Sequence, residues 1–411
     1  MKKTISGLLA LILVLGLCAG CGDSGKTPDQ TPDQTPEDVN IYASLLDVDP
    51  AEAALEFGGN QIPMELYLYW LTYSCSSLEY QLNMFKSAYG MYGELVNDDG
   101  TVKWEESLEG TPLSQVAKEQ AETNALSYAV MENAAAAHGV SVTSEDSAQL
   151  AEDKAAYIEQ LGGEEAFAQS LKEMGISEES FDRVSSSSYL YNHLLELAQD
   201  PSSDIYQAPT DDNAYVDHIL LTTKDAQTNE PLSEEEIAAK KAQAEELLSQ
   251  LQASDDLETL FTQLAEEHGE DPGRATDAGY LIDPDTNFVQ EFKDAAFALK
   301  PGELSGIVES DYGYHILLRK ELGENQLSTL AGDNLAKYLD EEMAKAQENV
   351  TRSEKLDGID VGTFFTEYRA AIEAMHPAED ATDGGDSGEA GGSDSGETEG
   401  TDGAQPADLD E

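Results

Sequence analysis

The chain has 411 residues, 40% of them apolar, which is enough for a buried core but suits two or three modules better than one. Acidic residues outnumber basic ones 83 to 22, for a formal net charge of -61. A chain this acidic repels nucleic acid and has no basic stripe to hold it on anionic lipid by charge, so both kinds of contact are set aside.

Lys2 and Lys3 precede an apolar run from Leu8 to Leu17, the n-region and h-region of a signal peptide, too short to span a bilayer as a stable helix. Ala19-Gly20-Cys21 closes it and resembles the lipobox of bacterial lipoproteins, in which the cysteine is lipidated and becomes the mature N-terminus. Cys18 stands where that motif usually has Leu, with Leu17 beside it. An ordinary secretory signal with an unrelated cysteine is the plainer alternative. With the signal at 1–20 removed and Cys21 lipidated, Cys75 has no partner in the chain and is expected to pack as a small apolar residue. Residues 21–45 read as a lipidated cysteine followed by an extended acidic tether, because Thr-Pro-Asp-Gln at 27–30 recurs at 31–34 before Thr35-Pro36-Glu37.

Residues 46–208 read as a mostly helical region. A short hairpin is expected over Glu56 to Ile62, with Pro63 opening a helix that carries Leu66, Tyr69, Trp70 and Tyr73 at helical spacing. Further helices are expected from Leu113 to Ala137, from Val140–Glu145 to Leu161, around Phe167–Met174, and around Phe181–Leu195. Their apolar residues are rich in aromatics and Met, and core packing accounts for most of them. A minority exposed in a groove would suit loose binding of unfolded segments.

The stretch 209–322 has a different grain. Strand-like Tyr215 to Leu221 is followed by a capping-box pattern, Ser233 with Glu236, opening a helix to about Leu251. Asp255 with Glu258 has the same signature for a second helix ending at His268-Gly269. A short strand around Gly279–Ile282, a helix from Phe288 to Leu299 stopped by Pro301-Gly302, and strands at Ile307-Val308 and Tyr312 to Leu318 complete the pattern. The order β-α-α-β-α-β-β predicts an α+β fold with a small mixed or antiparallel sheet. By strand parity His218 shares a face with Val216 and Leu220, and His315 shares one with Gly313 and Leu317.

The His-Ile-Leu-Leu strand, Phe261-Thr262-Gln263-Leu264-Ala265-Glu266-Glu267-His268, the run Phe292 to Ser305 and Tyr312-Gly313-Tyr314-His315-Ile316 together resemble parvulin-type peptidyl-prolyl cis-trans isomerases. The lipid anchor, helical region and following helix are similar to extracytoplasmic foldases of the PrsA and SurA type. The resemblance implies that His218 and His315 lie on neighbouring strands and hydrogen-bond in an active site. A structural role fixing tautomers and strand pairing is an equal alternative. It also implies that Asp271 occupies the family's Cys or Asp position, with Glu270 one place away and a turn residue before Pro272 as the plain reading. Ser310 matches a hydroxyl position, and Leu281, Phe288 and Phe292 match the apolar positions that hold the proline ring. Where the family reads Gly-Gly-Asp-Leu-Gly, this chain has Ala278-Gly279-Tyr280-Leu281-Ile282, an expected narrowing or reshaping of the pocket. Lys224 is the one base in the loop after the first strand, so selection for phosphorylated sites has no support.

Helices are expected from Leu327 to about Asn349 and over Phe364–Ile372, within a segment 323–376 that returns to pack on the N-terminal helices. The parvulin-like unit is then inserted in a helical chaperone region. Residues 377–411 hold twelve acidic residues and no Lys or Arg, a tail too polar to bury a core and without EF-hand spacing. Neither His-Glu-x-x-His nor paired Cys-x-x-Cys occurs, so no metal or other cofactor is expected. The expected function is an isomerase and foldase on the outer face of the bacterial cytoplasmic membrane, acting on unfolded exported polypeptides with X-Pro bonds. The alternatives are a holdase with a weak or silent parvulin unit and, least favoured because the two-lobe α/β pattern is missing, an anchored solute-binding protein.

Overall fold

The structure is a computed structural model that describes residues 40–376 except 211, 226–227 and 275–278. The expected signal, Cys21, Ala278 and the acidic tail lie outside those residues. Of the stretch 21–45 expected to be a tether, residues 41–45 are helical and 21–39 lie outside the described residues. Asn40 accepts from the Tyr42 N–H and opens helix α1 (Ile41–Leu45), whose Tyr42 is fully buried with its hydroxyl donating to Met174 O at 2.7 Å.

Strands β1 (Ala53–Phe57) and β2 (Asn60–Pro63) form an antiparallel hairpin. Its two-residue loop needs positive φ at both positions, which Gly58 and Gly59 supply. Pro63 caps α2 (Met64–Tyr89), and Gly90 ends it in the left-handed region. A small hairpin, β3 (Ser107–Leu108) with β4 (Thr111–Pro112), leads into α3 (Leu113–Ala137). Then come α4 (Ser144–Leu161), α5 (Glu164–Met174) and α6 (Glu178–Gln199), the first opened by a Thr143–Asp146 capping box.

The second unit runs β5 (Ala214–Thr222), α7 (Glu234–Gln252), α8 (Leu257–His268), β6 (Tyr280–Ile282), α9 (Gln290–Ala298), β7 (Val308–Ser310) and β8 (Gly313–Lys320). This is the expected element order. The cap of α8 falls one residue later than the sequence pattern placed it, with Asp256 accepting from Thr259 N–H. The sheet order is β6-β5-β8-β7 with every neighbour antiparallel. β5 and β8 are buried along nearly their whole length because helices cover both faces. Ile219, Leu221, Tyr314, Ile316 and Leu318 pack on Leu247 and Leu251 of α7 and on Phe261 and Leu264 of α8. On the other face, Val216 and Leu317 pack on Phe292 and Ala296 of α9. Gly313 is required where β7 turns into β8: its φ is +146°, and a Cβ there would lie 2.1 Å from Leu221 O.

The chain closes with α10 (Glu324–Asn349), β9 (Thr351–Arg352) and α11 (Val361–Met375). Leu335 and Leu339 of α10 and Phe364 and Phe365 of α11 share one core with Leu66, Leu68 and Leu71 of α2 and Ala125 and Ala129 of α3. β9, for which the sequence offered no signal, pairs with β1 at Leu55↔Arg352 and Glu56↔Thr351 and joins a three-stranded sheet β2-β1-β9. Cys75 is free, fully buried on α2, and burial pushes its thiol up.

Candidate active site

The register of β5 against β8 decides how the histidines meet. His218 lies opposite Leu317, and His315 lies opposite Leu220, so the two imidazoles are diagonal neighbours on the face covered by α9. Their rings stack at 5.5 Å between centroids and 17° between planes, with Nδ1 to Nδ1 at 3.4 Å. Both are almost completely buried.

A buried imidazole must place every proton. His218 Nε2 lies 2.7 Å from Asp271 Oδ2. Asp271 also accepts from the Tyr280 hydroxyl at 2.6 Å and from Gly273 N–H at 3.0 Å. The His218 bond and these two outweigh burial and hold its carboxyl well below the usual carboxylate range. Asp271 is therefore an acceptor only, and His218 carries its proton on Nε2. His218 Nδ1 then accepts from His315 Nδ1–H, which leaves His315 Nε2 to accept from the Ser310 hydroxyl at 2.7 Å. Ser310 Oγ in turn accepts from Tyr312 N–H at 3.1 Å. One directed chain thus runs Ser310 → His315 → His218 → Asp271.

Burial, and after it the neighbouring His218, bring the His315 imidazole down from 6.5 to about 4. Because its folded value lies below the unfolded one, the unfolded chain takes up this proton first as the pH falls. The stability carried by neutral His315 is full above pH 6.5, declines below it and is gone below about pH 4, a loss of about 3 kcal/mol. Urea unfolding at pH 7 and pH 4 is expected to show that loss in the parent chain beyond whatever His315→Gln shows; equal losses in both would refute it.

Aromatic rings build the surface around this chain. Phe292, 1% exposed, meets His218 edge-on at 5.1 Å and His315 at 5.6 Å. Phe288 stacks on Phe292 at 5.0 Å, and Tyr280 meets both Phe288 and His218 edge-on, at 5.1 and 5.4 Å. His218, His315, Asp271, Ser310, Phe288 and Phe292 are thus brought together. Leu281 is not: it pairs with Tyr215, so strand alternation points it to the opposite face, and Tyr280, paired with Val216, takes the place by the imidazoles. Tyr280 was missed as a site residue, although it stands in the segment that departs from the family pattern. Burial and the Asp271 carboxylate push its phenol up. Ile282 is buried in the core beside Phe292.

Glu270 and Asp271 part company at the edge of β5. Glu270 accepts from Thr222 N–H at 2.8 Å and pairs with Lys240, while its own N–H donates to Leu220 O at 2.8 Å. Three residues after Asp271, Arg274 reaches the other side of β5 and grips Asp217 with two bonds, at 3.0 and 3.1 Å, both side chains being buried. Arg274 and Asp271 straddle the strand, so the ion pair fixes the loop from which Asp271 reaches His218. No motif marks Arg274 in the sequence. Lys224 lies over the exposed ring of Tyr312 at 5.4 Å. Among the described residues no group of three His, Cys, Asp or Glu side chains is arranged to hold a metal ion.

A four-stranded antiparallel sheet with a diagonal imidazole pair between a carboxylate and a hydroxyl, over a bed of rings, defines a parvulin-type unit. Residues 218–321 match the family described as Rotamase, the PPIC-type PPIase domain. Among the relatives that the chain resembles are foldases. Foldase protein PrsA of a Geobacillus species is 42% identical over 76 residues, 18% of this chain and 26% of that protein. Foldase protein PrsA of Staphylococcus aureus is 29% identical over 163 residues, 38% of this chain and 47% of that one. The chain thus spans about a quarter to a half of the length of these relatives. A solved structure of peptidylprolyl isomerase PrsA from Bacillus cereus is 18% identical and covers 78% of this chain and 99% of its own, at a TM-score of 0.29, too low to carry weight.

Proposed function

We infer that the chain is an extracytoplasmic peptidyl-prolyl cis-trans isomerase and foldase, lipid-anchored through Cys21, acting on unfolded exported polypeptides at X-Pro bonds. Its isomerase module is 209–322, inserted in a helical module made of 46–208 and 323–376. The observation that carries this reading is the directed chain Ser310–His315–His218–Asp271 lying against Phe292. Rotation about an X-Pro bond breaks amide resonance, at a barrier of roughly 18–20 kcal/mol, and requires no covalent step. In the twisted amide the carbonyl loses its conjugation and charge separation falls. A dry bed of rings around the proline, bordered by hydrogen-bonding groups whose protons are already committed, favours that less polar form over either planar one. Among the described residues no helix is long and apolar enough to cross a membrane; the proposed attachment at Cys21 rests on the Ala19-Gly20-Cys21 motif.

A holdase with a weak parvulin unit is the second reading, favoured by Tyr280, whose ring covers His218 and whose hydroxyl occupies Asp271. Magnetisation-transfer measurement of X-Pro exchange in a short peptide separates the two. Acceleration by the full chain is expected. No acceleration at high protein concentration, with aggregation suppression intact, would leave the holdase.

A further inference from the structure

His218, His315 and Phe292 are all but fully buried, so a pyrrolidine ring arriving from solvent touches none of them until a neighbouring group moves. The partly exposed rings that rest on them are Tyr280, edge-on to His218, and Phe288, stacked on Phe292. The hydrogen bonds decide which of the two is free to yield. Opening His218–His315, His218–Asp271 or Ser310–His315 strands a buried imidazole nitrogen without a partner. The Tyr280–Asp271 bond joins two partly exposed groups, which water reaches once they separate. Asp271 still accepts from His218 and from Gly273 N–H when Tyr280 has left.

Tyr280 is also placed to turn. It lies on β6, the edge strand of the sheet, which has one hydrogen-bonded neighbour, and its ring swings by rotation about side-chain torsions with the strand in place. Its phenol end fits closely against the loop: a Cβ on Gly273 would lie 3.0 Å from the Tyr280 hydroxyl. The backbone of Gly273 is outside the left-handed region, so glycine there serves clearance for the phenol and not the turn. We propose that Tyr280 controls access to the X-Pro site: hydrogen-bonded to Asp271 it covers the imidazoles, and a proline binds as that bond opens and the ring turns aside.

This rests on the isomerase reading and adds a control on the same site. Affinity for an X-Pro segment is then reduced by the fraction of molecules in which the bond is open. Removing the hydroxyl raises that fraction and tightens binding. A hydroxyl that only supported Asp271 would, on removal, lower turnover and leave binding alone.

The test uses the full chain and a short peptide amide with a single Ala-Pro bond, with Kd read from an NMR titration and KM and kcat from magnetisation transfer. Tyr280→Phe keeps the ring and loses the bond; it is expected to lower Kd and KM about five- to tenfold, with kcat little changed. Gly273→Ala, whose methyl presses on the phenol while its N–H still reaches Asp271, is expected to move both in the same direction by less. The histidine nitrogen signals should match the parent in both variants, which separates a change in access from damage to the proton chain. Unchanged Kd in Tyr280→Phe would overturn the proposal and identify Phe288 as the ring that yields. A fall in kcat at constant KM would overturn it in favour of simple support of Asp271, and absence of peptide binding in parent and variants would overturn it outright. Tighter binding in both variants with no exchange in any of the three proteins would remove the isomerase reading and leave Tyr280 in control of a proline-binding site.

Discussion

A fragment of residues 40–208 is expected not to fold. Its core is completed from the other end of the chain: Leu335, Leu339, Met343, Phe364 and Phe365 are all buried against α2 and α3. At roughly 1.5–3 kcal/mol for each large side chain, these five alone supply on the order of 10 kcal/mol. That equals the whole stability of a typical domain, about 5–15 kcal/mol. Deletion also strips β1 of its β9 partner and removes the ion pairs Arg352–Glu122 and Lys355–Glu52, leaving an open sheet edge and an exposed apolar groove. The measurement is a thermal melt followed by circular dichroism and tryptophan emission. Trp70 is buried in this core and Trp104 meets Phe365 edge-on at 5.9 Å, so both report on it. A monomeric fragment with a cooperative transition would refute the shared core. Joining 40–208 directly to 323–376 through a flexible linker is expected to restore folding.

Asp271→Asn is expected to lower kcat/KM for X-Pro exchange about ten- to a hundredfold while the domain stays folded. Asp271 is the acceptor that sets the direction of every proton downstream of it. An amide at this place has one acceptor oxygen, which cannot hold the His218 N–H, the Tyr280 hydroxyl and the Gly273 N–H as the carboxylate does. A hydrogen bond to a charged group is worth about 1.5–3 kcal/mol, and a loss of that size appears in the rate by about the factor given if it is felt in the transition state. Asp271 acts through His218 and is a positioning residue, so a readout besides rate is needed. Nitrogen NMR of the parent chain is expected to find His218 protonated on Nε2 and His315 on Nδ1; in Asp271→Asn the two tautomers should mix. Unchanged tautomers together with unchanged kcat/KM would refute the directed chain.

Much of this was legible in the sequence because it rests on local rules. The capping pair Ser233–Glu236, the stop at Leu161-Gly162-Gly163 and the Gly58-Gly59 turn each act within a few residues, and their elements formed where expected. Strand alternation placed His218 and His315 each on a definite face of its own strand. What alternation within one strand cannot fix is which residue of a neighbouring strand sits opposite. The diagonal offset of the imidazoles therefore came only from the β5–β8 register. The exchange of Leu281 for Tyr280 has the same cause: the three-residue strand β6 reads equally well in either parity until its pairing with Val216 is known.

The sequence by itself determined a β-α-α-β-α-β-β unit with two histidines on strands, an acidic loop between them and helices before and after. These follow from periodicity, caps and breakers, whose energies are local. Tertiary structure alone decided that Arg274 grips Asp217 across β5 so that Asp271 can reach His218, and that Thr351-Arg352 adds a strand to a hairpin some three hundred residues earlier. Each of these is a meeting of segments distant in the chain, and the energy that selects it comes from the shared burial and paired charges of the folded state, which no single segment carries.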